Sequence, residues 1–295
     1  MNLRLCIILF CAILMSSCAR KRVHGSDVIA GHGMIIERSK AEHVVEDLSA
    51  QGDTNDEESI CAPIDPKTNI EVPISKRNDN QIILKRIAYI ASYNKTTRTP
   101  NWIAWHLTSD HAFSNVVNRK NYYFHEDFDV PEPRACKEDW SYDHCYQRGH
   151  MCPAGDNKWS KKVMNQCFLL TNICPQNGDL NEKAWRYLEE DCRNWASKYG
   201  EIYIVCGPIY NSTKYITMGK NHIAIPDAFF KVILRLGKDP QALGFIYPNK
   251  KCPKSTEAYI MSVDAVEKIT KLDFFSSIND GIENQVESKS IFSKW

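Results

Sequence analysis

The sequence predicts one α+β domain, and three observations carry that prediction. Apolar side chains recur at three- and four-residue steps through residues 181–199 (Ala184, Trp185, Leu188, Cys192, Trp195 and Tyr199), the period of an amphipathic helix. Runs rich in β-branched and aromatic residues, separated by turn residues, read as strands at 82–93, 102–108, 201–206, 229–236 and 242–247. The composition, 43% hydrophobic and 25% charged, is that of an ordinary globular chain and sets aside a disordered or fibrous protein.

In chain order, residues 1–18 read as an export signal: Arg4, an apolar run over 5–15, then Ser16-Ser17-Cys18 as small residues at a cleavage point. That run, about eleven residues, is too short to span a bilayer as a helix. Small residues ending in Cys18 also resemble a bacterial lipoprotein signal. A lipid anchor at Cys18 and plain secretion therefore both stay open, and an envelope or secreted location is expected. Residues 19–69, rich in Ser, Gly, Asp and Glu with an acidic stretch at 53–58, read as a flexible linker. The domain is expected over 70–295. Within it, 94–101 carries turn chemistry and 166–171 is a further short apolar run. Gly200 closes the 181–199 helix, and Asp264 with Glu267 starts a second helix in the manner of a capping box.

The formal charge is +1, so no global basic signal marks a nucleic-acid binder. Residues 20–60 hold five Lys/Arg against nine Asp/Glu, and residues 61–295 hold 31 against 27, a mildly basic domain compatible with a phosphate ligand. Of twelve cysteines, nine lie beyond the leader. In an oxidising compartment most would pair, with one left over, and Cys136–Cys145 is the bridge the spacing suggests.

The densest polar chemistry is Gln147-Arg148-Gly149-His150, followed by Asn172, Asn181, Glu189 and Arg193. Phosphodiester hydrolysis needs a base to take a proton from water, and histidine titrates near neutrality. It needs positive charge on the phosphorus oxygens and the leaving oxygen, which a hard dication with oxygen ligands and retained waters provides. Arginine supplies planar donors matched to phosphate. On an ideal helix Asn181, Glu189 and Arg193 fall within roughly 120° of one another, and Glu189 with Arg193 is an i,i+4 pair. Zinc at Cys145, His150 and Cys152 lacks a second paired-cysteine arrangement. Neither a Gly-rich triphosphate loop nor a Ser-centred elbow occurs. Trp185 and Trp195 read as core.

Gln147-Arg148-Gly149-His150 resembles the Asp-Arg-Gly-His signature of the DNA/RNA non-specific endonucleases, the ββα-metal (His-Me finger) nucleases that include endonuclease G. Residues 171–176, Leu180-Asn181, Ala184-Trp185 and Leu188-Glu189 follow in family order, and residues 100–106 resemble the early core strand. The resemblance runs over 82–286 and implies a central, mainly antiparallel sheet flanked by helices. It implies His150 as general base, Asn181 as the direct ligand of magnesium (or manganese in its place), and Glu189 as a hydrogen-bond partner of water around the ion. Asn172 would help position the site and bind substrate, Arg193 would contact phosphate, and Arg119 would stabilise the transition state. Arg148 would act in catalysis by orienting the loop or substrate. DNA and RNA are the implied substrates, and an inhibitor protein is left open as a partner. Gln147 departs from the motif Asp; it either braces the loop, the favoured reading, or removes a charge that tunes the site. Two alternatives stand beside a nuclease: a non-catalytic nucleic-acid-binding lipoprotein, and a phosphodiesterase of the same fold acting on a non-nucleic substrate such as a phospholipid.

Overall fold

The computed structural model describes residues 69–76, 81–141, 145–253 and 256–295, all within a compact unit of residues 53–295. The proposed leader, Cys18 and nearly all of the linker lie outside the described residues. In chain order the principal strands are β1 (Gln81–Lys85), β2 (Ile90–Asn94), β3 (Thr99–Thr108), β4 (Tyr146–His150), β5 (Ile173–Asn177), β6 (Glu201–Ile209), β7 (Ala228–Arg235), β8 (Gln241–Pro248) and β9 (Ile260–Met261). The principal helices are α1 (Lys161–Cys167), α2 (Arg186–Tyr199), α3 (Val263–Thr270) and α4 (Asp280–Glu287).

Seven strands form one sheet in the order β9-β8-β7-β6-β3-β2-β1, with every neighbouring pair antiparallel. Its central strands are buried on both faces, which is why they read as continuous apolar runs. Side chains alternate across a strand, so Ile103, Trp105 and Leu107 of β3 enter one core with Trp185, Leu188, Cys192 and Trp195. Trp102 and Ala104 enter the other, with Val263 and Val266 of α3. The α+β expectation of a central antiparallel sheet flanked by helices is met.

Three local differences have physical causes. The run at 82–93 is two strands, because Arg86 N closes a turn on Tyr89 O at 2.9 Å. The run at 166–171 is not a strand; it is the end of α1 and a 3-10 turn at Leu170–Asn172, and the pairing segment is β5 just beyond. The cap of α3 is Ser262, whose side chain accepts from Ala265 N at 3.3 Å, while Glu267 Oε1 accepts instead from Phe274 N at 2.7 Å.

The expected Cys136–Cys145 bridge is corrected. Cys136 carries a free, buried thiol whose sulphur accepts a hydrogen bond from Asn221 Nδ2 at 3.3 Å. Cys152, Cys167, Cys174, Cys192 and Cys206 are buried thiols as well, packed as small apolar groups in the cores. Burial pushes the thiol of Cys206 up to about 12.

Candidate active site

The site grows from two strands and a helix. β4 pairs antiparallel with β5, setting His150 opposite Ile173 and Gln147 opposite Gln176. The chain then enters a π-helical segment, Leu180–Trp185, which continues as α2. The ideal α-helical phase across 181–193 is therefore not kept. Wider turns of this kind recur at functional sites because they re-aim side chains. Trp185, buried at the junction, donates from Nε1 to the backbone O of His150 at 3.3 Å and so fastens helix to strand. The motif glycine has a steric reason: a Cβ at Gly149 would collide with the side chain of Gln176 beneath it.

One cavity of about 300 Å³ gathers Arg119, Arg148, His150, Asn181, Glu189 and Arg193, residues separated by up to 74 positions in sequence. Lys158, Glu182, Arg186 and Glu190 complete its charged lining. His150 is 8% exposed, lies between Phe124 and Phe168 with ring centroids 5.1 Å away in each case, and has no hydrogen-bond partner at Nε2. Burial, then the Arg119 charge, pushes its pKa down to about 3. The ring is therefore neutral at physiological pH, with an acceptor lone pair available. Burial raises Glu189 to about 7, against the opposing charge of Lys231.

Gln147 is explained by its two partners. Its Nε2 donates to Glu182 Oε1, and because a carboxylate only accepts, the amide orientation is fixed. Its Oε1 then accepts from Asn181 Nδ2 at 2.6 Å. The remaining oxygen of Asn181 is thereby free of that contact on a residue that lines the cavity. An amide oxygen, a neighbouring carboxylate and room for water fit a hard dication that retains its waters. Among the described residues, no three of the His, Asp and Glu side chains at this cavity bring their ligand atoms close enough together to share one ion, so the donor set does not fit zinc.

Asn172 requires correction as a substrate contact. It is fully buried and outside the cavity lining. Its Oδ1 accepts from Cys152 N at 2.9 Å, and its Nδ2 donates to Cys152 O at 2.8 Å and Cys167 O at 2.9 Å. It clamps the loop that leaves His150. The ion pair of Arg193 is also not with Glu189: its Nη1 binds Asp156 Oδ1 at 3.0 Å. Asp156 is itself buried and held by Trp105 Nε1 at 3.2 Å.

Sequence reasoning missed Asp156, Lys231 and Asn249. Lys231 is fully buried on β7 with its Nζ 4.3 Å from the centre of the Trp185 ring. Asn249 staples β5 to the main sheet region, accepting from Asn177 N at 2.7 Å and donating to Pro175 O and Pro226 O. A lysine within the apolar run 228–235 was the one visible signal among these.

Comparison with known proteins decides the family. The sequence profile of the DNA/RNA non-specific endonucleases matches residues 66–281. The chain belongs to this family. As a DNA/RNA non-specific endonuclease family member it is 34% identical over 206 residues to the mitochondrial nuclease EXOG of Danio rerio, covering 64% of this chain and 60% of that one. It is 32% identical over 214 residues to the mitochondrial nuclease of Saccharomyces cerevisiae, covering 65% of each. The chain thus spans slightly less than two thirds of the length of these two relatives. The crystal structure of the EndoG/EndoGI complex, described as the mechanism of EndoG inhibition, superposes with a TM-score of 0.64 at 28% identity, covering 67% of this chain and 87% of that one. These relatives overturn the expected bacterial-envelope location: they are described as mitochondrial nucleases of eukaryotes, not as envelope lipoproteins. With that, the secreted and lipid-anchored readings of residues 1–18 and Cys18 lose their support.

Proposed function

We propose that this chain is an endonuclease that hydrolyses phosphodiester bonds of DNA and RNA without regard to sugar or sequence, with magnesium (or manganese) as cofactor. The observation that carries the proposal is the single cavity shared by the neutral imidazole of His150, the amide of Asn181 and the guanidinium groups of Arg119, Arg148 and Arg193. The imidazole of His150 accepts the proton of the attacking water, and the surrounding Phe124 and Phe168 rings hold it in place. Arg119, Arg148 and Arg193 face the phosphate oxygens, with Arg193 aimed by Asp156. Asn181, oriented by Gln147, would hold the cation, and Glu189 would order water beside it. When bound, the cation supplies charge to the phosphate and the leaving oxygen. The lining offers charges suited to phosphate, and phosphate contacts carry no sequence information, so broad specificity is expected. The paired amides of Gln147 and Asn181 support a braced site over a decayed one. The related complex with EndoGI makes a protein inhibitor an expected class of partner.

The deciding experiment incubates the full chain with supercoiled plasmid and with RNA, with magnesium or with chelator. Cleavage of both substrates is expected with the metal only. His150→Ala should lower the rate about 100- to 10,000-fold, the usual worth of a general base, while leaving the circular dichroism spectrum unchanged. Cleavage by that variant at the wild-type rate would remove His150 from its role.

A further inference from the structure

Beside the cavity lies a second cleft of about 370 Å³, within the range of roughly 300–1,000 Å³ typical of ligand pockets. Among the described residues it is lined by four aromatic and four basic side chains and by no carboxylate. Arg119 and Arg148 line both spaces, so the cleft is continuous with the site through the two cations that flank it. Its floor is fixed by ring contacts: Phe168 stacks on Tyr122 with centroids 6.2 Å apart, and the Arg119 guanidinium lies 5.7 Å from the centre of Phe168. Arg148 is braced over Phe124 and Trp140, and by its bond to Lys137 O at 2.9 Å. Tyr123 alone among these rings stands open, at 78% exposure. A large aromatic ring exposed to that degree gains nothing from the core, and Lys120 and Lys137 beside it make an uncharged apolar partner a poor fit.

Basic side chains that track a backbone, together with aromatic faces that receive bases, are the physical signature of single-stranded nucleic-acid binding. We propose that this cleft takes one unpaired nucleobase next to the scissile phosphate, stacked on Tyr123, with Lys120 and Lys137 gripping the adjoining phosphate. The inference rests on the nuclease reading of the neighbouring cavity and assigns the strand a path across Arg119 and Arg148. Tyr123 binds substrate and takes no part in bond breaking, so its loss weakens binding and spares turnover.

The test uses the full chain and a single-stranded oligonucleotide carrying one 2-aminopurine, whose fluorescence is quenched on stacking. Binding measured in chelator, where no cleavage is needed, should quench the wild-type complex and leave the Tyr123→Ala complex bright. Stacking is worth about 1–3 kcal/mol per base, so Tyr123→Ala should raise KM roughly 5- to 150-fold with kcat within twofold. Tyr123→Phe, which keeps the ring, should restore wild-type KM, and Tyr123→Leu should not. An unchanged KM in Tyr123→Ala, or rescue by Leu equal to rescue by Phe, overturns the cleft. Absence of cleavage by the wild type, with quenching retained, overturns the nuclease reading and leaves the base-binding cleft standing.

Discussion

At the scale of single residues, Gln147 shows how one side chain accounts for a departure from a motif. An amide there donates to Glu182 and accepts from Asn181 at once, which a carboxylate cannot do. Gln147→Glu would place two carboxylates face to face and should cost about 1 kcal/mol, restored when Glu182→Gln is added. Urea titrations of the two single variants and the double variant measure the coupling; strictly additive losses would deny the pairing. Two other groups oppose one another in pH. The buried imidazole of His150 takes a proton only near pH 3, against about 6.5 in the unfolded chain, so its contribution is lost as pH falls through that window. Glu189 holds its proton up to about 7, against about 4.5 unfolded, so stability falls as pH rises between those values. Relative to the wild type, the change in stability as pH rises from about 5 to about 7 should be about 2 kcal/mol less favourable in His150→Asn and about 2 kcal/mol more favourable in Glu189→Gln. Differences of the same sign in both variants, measured against the wild type, would contradict this account.

Elements explain what these residues cannot. Asn172 fixes the backbone at Cys152 and Cys167, and its removal leaves three buried backbone groups without partners. At about 1 kcal/mol or more for each, Asn172→Ala should cost about 3 kcal/mol, a fall in Tm of roughly 6–12 °C for a domain of this size. Differential scanning calorimetry checks it, and a shift below about 2 °C would make Asn172 dispensable. The sequence made the helix at 181–199 and the buried strands legible because period and composition are local properties. It also made His150, Asn181, Glu189 and Arg193 legible, since the motif order names them and the structure brings them to one cavity. The π-helical segment, the Asp156 partner of Arg193 and the Asn249 staple were not legible. The ion pair and the staple join residues far apart in the chain, and no local period or composition marks the wider turn of the π-helical segment. Asn172 was found by its motif and then misplaced, because spacing reveals nearness to a site and says little about burial.

For the whole molecule, two cores on opposite faces of one seven-stranded sheet divide the labour. The face packed by α2 carries the candidate chemistry, and the face packed by α3 carries none of its groups. Beneath the first face sits Lys231, a cation packed between the sheet and Trp185 and shielded from bulk solvent. Acylating reagents should therefore modify exposed Lys220 within minutes and spare Lys231 for as long as the sheet stays closed. Mass spectrometry of peptides from a timed acetylation would turn this one amine into a clock for opening of the layer under the site, and equal labelling of the two lysines would show that layer to be permeable.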